Sequence, residues 1–162
     1  AFSISGFVLR IDSIVYSPRP KGKLHCDPNM VSFVLDKMPS NYGDLFVLYA
    51  SHPLDSGWLT GKYNAESRFN DIRSRWSKED IKTRANLVNK IRTIIGAEEN
   101  LAQIAIAFCL AYDAVSTVIP GNVNIEQLTS NVQSADISIS QNLIEKLESL
   151  YQSEIKKLNL PW

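Results

Sequence analysis

The chain has little of what specialised classes of protein depend on. Only two of its 162 residues are cysteines, Cys26 and Cys109. That is too few for a disulfide framework, so a reducing, cytoplasmic setting is expected. Neither sign of charge is in excess: 17 Lys plus Arg stand against 17 Asp plus Glu. Nucleic-acid binding draws on surplus basic residues to displace counterions, so nucleic acid is not an expected partner. No apolar run approaches the roughly 20 residues of a membrane span, and no basic segment leading into an apolar core marks a signal peptide. A membrane is therefore not an expected partner either. The chain does not begin with Met, so either Met was removed or the sequence is a piece of a longer one. Histidine is scarce too. His25, Cys26 and Asp27 are metal-binding types, but neighbours on a loop rarely converge without further ligands, and no metal is expected.

What is present is ordinary. Hydrophobic residues are 44% and charged residues 21%, proportions that suit one globular domain with a real core over residues 1–162. The second half carries the clearer elements. Ser77 to Asp80 forms a capping-box pattern ahead of Ile81, Val88, Ile91 and Ile95, and Gly96 supplies the stop. Asn100 caps a helix predicted from Leu101 to Tyr112, apolar nearly all round, with Cys109 as a small buried hydrophobe. Val115 to Ile119 is a short β-branched strand ended by Pro120-Gly121. Asn124 caps a helix from Ile125 to Ser134. Ser140 caps the last one, with Leu143, Leu147, Leu150 and Ile155 on one face. Upstream, Phe2–Ser5, Ile11–Tyr16 and Leu45–Ala50 read as strands and Met30–Met38 as a helix. Ser51 to Arg75 reads as a long loop. This alternation is an α/β order, and it predicts parallel strands.

Two loops could carry chemistry. In the first, His52 to Tyr63, a strand ends at a proline turn, two glycines permit close backbone approach, and Lys62 follows. Backbone donors with one cation suit an extended phosphate. A plain Gly/Pro turn would use the same residues. In the second, Val118 to Asn131, a strand runs into a helix N-terminus, where free N–H groups and the helix dipole favour an anion. Gln127 and Asn131, four apart, share one helix face. Two amides one turn apart can read the edge of a planar heterocycle; the bland alternative is a capped helix with solvated amides.

Together these stretches resemble the aldo-keto reductase family. Pro53 to Tyr63 is similar to its PLxxGxLTGKY loop after the seventh barrel strand, and Ile119 to Asn131 to its IPGxxxxxQxxxN signature after the eighth. The resemblance covers roughly Leu45 to Tyr151, and faintly Phe2 to Phe7 as the end of the fifth strand. It implies an α/β fold of the (β/α) barrel, TIM type, of which this chain holds the C-terminal half, about strands 5–8. A complete barrel typically needs roughly 250 residues. The resemblance also implies NADP(H) as cofactor. Pro53, Leu54 and Gly57 would line its pyrophosphate channel, with Lys62 nearby, and Arg73 would meet the 2′-phosphate. Gly121 and Val123 would continue the phosphate site. Gln127 and Asn131 would face adenine, and Ser5 would hold the nicotinamide carboxamide.

The departures gather at the nicotinamide. Gly6 replaces an asparagine beside Ser5, Ser51 falls where an aromatic is frequent, and no room exists between Phe7 and Ile11 for a fifth helix. The family's catalytic Asp, Tyr, Lys and His lie on the second to fourth strands, so no catalytic residue is assigned here. Tyr49, His52, Asp55 and Lys62 have the right types but lie on one strand end and its loop. Two functions follow as expectations. One is the cofactor-binding half of a reductase acting on a small carbonyl substrate. The other is a truncated, non-catalytic relative that binds a nucleotide or another protein. A half-barrel exposes strand edges at Phe2–Ser5 and Val115–Ile119, so self-association, or pairing with the missing half, is expected.

Overall fold

The computed structural model describes residues 2–4, 7–9, 11–15, 47–50, 52–112, 115 and 117–158, with side chains from residue 52 onward. The helix predicted at Met30–Met38 lies outside the described residues, as does Ser5.

Helix α1, Lys78–Ile95, starts where the sequence placed it. The Ser77 hydroxyl accepts from the Asp80 N–H at 3.1 Å, and the Asp80 carboxylate accepts from the Ser77 N–H at 2.8 Å. Gly96, at φ 102°, ends it. Ile81, Ala85, Val88 and Ile91 recur at helical spacing and are all buried. Helix α2, Leu101–Leu110, is capped by the Asn100 side chain, which accepts from two N–H groups. Its Leu101, Ile104, Phe108 and Cys109 are buried, as an apolar helix requires. The Cys109 thiol donates to the Ala105 carbonyl, and burial pushes its pKa up to about 12. Helix α3, Ile125–Gln133, is capped by Asn124 and runs into a 3-10 turn, Ser134–Asp136. Helix α4, Gln141–Ser153, is capped by Ser140 and packs on α1, with Leu150 and Ile155 in the shared core.

The strands are β1 Phe2–Ile4, β2 Phe7–Leu9, β3 Ile11–Val15, β4 Val47–Ala50 and β5 Thr117–Val118. They form a two-stranded sheet, β1-β2, and a three-stranded sheet ordered β3-β4-β5. The expectation of parallel strands holds for β4 and β5 and fails elsewhere. β1 and β2 pair antiparallel, because the two residues between them can only return the chain on itself. β3 and β4 also pair antiparallel, with Val15 opposite Val47. Antiparallel ladders are slightly the more stable per residue, and nothing in a five-residue strand encodes its direction. β4 and β5 are joined through α1 and α2 and pair in parallel, with Ala50 opposite Val118. That register sends the loops after both strands out of the same end of the sheet.

The long loop from Ser51 to Arg75 is less open than its lack of periodicity suggests. It contains two 3-10 turns, Asp55–Thr60 and Ile72–Arg75. Trp58 is fully buried within it, packed edge-on to Tyr63 and Phe69 and tilted against Trp76.

Candidate functional site

The loop after β4 is built around a left-handed turn. Asp55, Ser56 and Gly57 take φ values of 45°, 52° and 95° in succession. Gly57 needs its missing side chain, because a Cβ there would sit 3.0 Å from the Tyr63 ring. A Cβ on Gly61 would collide with the Arg92 guanidinium. What the two glycines approach closely, in this structure, is therefore the protein itself.

Arg73 reaches this turn from the second one. Asp71 caps that turn by accepting from the Arg73 N–H at 2.9 Å, and its carboxylate also takes two bonds from Arg73 Nε, at 3.0 and 3.1 Å. Arg73 Nη1 donates to the Ser56 carbonyl at 3.2 Å and to the Tyr63 hydroxyl. Its guanidinium lies 5.0 Å from the Tyr63 ring centroid and 4.7 Å from that of Phe69. These hydrogen bonds hold the Asp71 carboxyl down at about 2. Lys62 is exposed, with Nζ 5.8 Å from the same Tyr63 ring. Gly57, Lys62 and Arg73 thus come together around Tyr63. Arg73 already has an anionic partner, so a phosphate would share the guanidinium with Asp71.

Beneath the turn lies an ion pair that the sequence reading missed. Arg84 Nη1 donates to the two oxygens of Asp55 at 3.1 and 3.4 Å, and each side chain is 1% exposed. The Arg84 guanidinium stacks 4.4 Å from the Trp76 ring centroid. Burial pushes the Asp55 carboxyl up to about 7 against the pull of Arg84, and burial pushes Arg84 down. A signal was available. Arg84 falls on the stripe of Ile81, Ala85, Val88 and Ile91, and a charge on a buried stripe requires a partner.

The second cluster opens α3. Asn124 Oδ1 accepts from the Gln127 N–H at 2.8 Å. The Val123 N–H donates to Gln127 Oε1 at 3.0 Å, and Asn131 Nδ2 donates to the Gly121 carbonyl at 3.5 Å. Both amides therefore reach back to the segment 121–123, as the shared helix face implies. A Cβ at Gly121 would meet nothing within 4 Å, so the protein's own packing does not require glycine there. Pro53 and Leu54 sit at the base of the first loop, buried and half-buried. Among the described residues no group of three His, Cys, Asp or Glu could hold a metal, and no helix is long and apolar enough to cross a membrane.

Loops leaving the carboxyl ends of adjacent parallel strands, one a glycine turn and one a capped helix start, mark an α/β protein whose candidate ligand site lies on its strand-to-helix loops. Residues 40–152 match the Aldo/keto reductase family, and the chain belongs to that family. The fold of that family is the (β/α)₈ barrel. The chain is 30% identical over 147 residues to a probable voltage-gated potassium channel subunit beta of Oryza sativa subsp. japonica, covering 80% of this chain and 44% of the relative. It is 35% identical over 130 residues to the protein of the same name in Arabidopsis thaliana, covering 68% and 39%. An uncharacterized oxidoreductase of Mycobacterium tuberculosis is 33% identical over 98 residues, 58% of this chain and 30% of the relative. The chain thus spans less than half the length of the curated relatives it matches.

Proposed function

We propose that this chain is the cofactor-binding part of an NADP(H)-dependent oxidoreductase that interconverts a small carbonyl compound and its alcohol, built as the second half of the family's barrel. The observation that carries this reading is the parallel register of Ala50 and Val118, which brings both loops to one end of the sheet. The donors fit a dinucleotide. Pro53, Leu54 and Gly57 are assigned to the pyrophosphate by the family resemblance, beside Lys62. Gly121 and Val123 continue it, the open space at Gly121 leaving room for close approach. Gln127 Nε2 and Asn131 Oδ1 have no partner among the described residues, which leaves one donor and one acceptor for adenine. Ser5 would hold the nicotinamide carboxamide. The bound cofactor supplies the hydride; these residues bind and orient it.

The test is calorimetric titration of NADPH and NADH. NADPH is expected to bind more tightly, because Arg73 and Lys62 offer charge to the 2′-phosphate. A charge-assisted hydrogen bond is worth about 1.5–3 kcal/mol, and sharing with Asp71 takes Arg73 to the low end. Arg73→Ala should therefore weaken NADPH about tenfold and leave NADH unchanged. Equal affinities, unmoved by the substitution, would remove Arg73 from the site.

A second reading, a non-catalytic relative that works by association, is favoured by one observation. Val123, Ile125 and Val132 are 88%, 75% and 65% exposed, and Leu128 and Ile119 are also open. The plant relatives bear the name of a channel subunit. A second copy of this chain, or the complementary half of a barrel, would cover these side chains. Light scattering over a concentration series should show self-association that Leu128→Asp weakens. A strictly monomeric chain at high concentration would refute it.

A further inference from the structure

The left-handed turn at Asp55–Gly57 includes two residues that are not glycine. Such backbone is costly and persists only where its surroundings hold it. Two groups hold this one. From below, Arg84 binds the Asp55 carboxylate at 3.1 Å in a site water does not reach. From above, Arg73 binds the Ser56 carbonyl at 3.2 Å. The two arginines come from different elements, α1 and the Ile72–Arg75 turn, and meet through two consecutive residues of the loop and through the edge-to-face rings of Phe69 and Trp76.

We propose that Asp55 and Arg84 are positioning residues: by fixing the turn they set the Ser56 carbonyl, and through it the guanidinium of Arg73 that faces the 2′-phosphate. This rests on the functional reading given above. Stability alone does not account for the pair. Burying two charges among Trp58, Trp76 and Ile81 gains little over apolar residues of the same volume, and such pairs are best attested where they specify one conformation. The Arg84 guanidinium is itself oriented by its stacking on Trp76. Asp55 is thus held from helix α1, and the half-buried Arg73 above it takes one of its contacts from that order, beside those to Asp71 and Tyr63.

The experiment is a double-mutant cycle read on two ligands. Asp55→Asn keeps the shape and removes the charge. It should weaken NADPH five- to tenfold, leave NADH within twofold, and have no further effect once Arg73 is Ala. A merely structural role would weaken both cofactors alike or add to Arg73→Ala, and either result overturns the proposal. Should Asp55→Asn fail to fold, Arg84→Lys takes its place, since it keeps the charge and loses the fork. A ligand-free readout separates this proposal from the reading beneath it. The Arg73 Nε–H resonance should move in Asp55→Asn. If the parent binds neither cofactor, the functional reading falls while that resonance still decides the positioning role; an unmoved resonance overturns it.

Discussion

Given NADPH and an aldehyde, the 162-residue chain is expected to oxidise no measurable cofactor. By the family resemblance, the proton donor and its partners would stand on the second to fourth strands, to which the resemblance assigns no residue of this chain. The residues of the right type are engaged otherwise. Asp55 is buried on Arg84, and Lys62 stands in solvent beside the Tyr63 ring. His52 lies at the start of the same loop, exposed. General acid–base catalysis is worth roughly 10²–10⁴-fold by itself, and the positioning of substrate is lost with it. Following NADPH absorbance with a panel of aldehydes checks this. Robust turnover by the purified chain would show that a catalytic group has been overlooked.

Replacing Arg84 by Ala is expected to cost about 3–5 kcal/mol of folding stability above pH 7, as breaking one side of a buried pair does. Without Arg84 nothing opposes the effect of burial, so the Asp55 carboxyl moves above about 7 and the chain must take up a proton there to fold. The cost should shrink in acid, where the carboxyl takes up a proton. The parent chain carries a pH signature of its own. Asp55 titrates at about 7 in the fold against 3.8 ordinarily, because burial disfavours its charged form. Between those values the folded chain holds a proton that the unfolded chain has released. Its contribution is therefore fully present below about pH 4 and is lost as pH rises through about 7. Melting temperature should fall over that window from this group, and Asp55→Asn should flatten the fall. A parent and an Asn variant with parallel pH profiles would contradict the assignment.

Local chemistry was the legible part of this molecule. Ser77, Asn100, Asn124 and Ser140 all cap helices, since a cap depends on residues within one turn of itself. Strand direction was not legible, because β3 takes its partner from tertiary packing and not from its own five residues. β2 went unread, being three residues long with no turn signal after it to set it apart from β3. The aromatic cluster of Trp58, Phe69 and Trp76 was hidden for a related reason: its members follow no period, so no helix or strand pattern exposes a core inside a loop. In the candidate site, the glycine turn and the amide pair could be read from spacing. Asp55–Arg84 could not be read as a pair, since 29 positions separate its members. Arg84 alone was visible, as a cation on an apolar stripe.

Helix α3 has two working sides. Gln127 and Asn131 look back toward Gly121 and Val123, while Ile125, Leu128 and Val132 occupy an adjoining flank in solvent. Both sets of side chains stand on one nine-residue helix. Whatever seats on the apolar flank therefore sets the tilt of the amides, and whatever the amides grip sets the tilt of the flank. Equilibrium reciprocity then obliges each event to change the other by the same factor. Were the nucleotide site and the self-association proposed above both present, apparent nucleotide affinity would depend on protein concentration, and dilution alone would act as an effector.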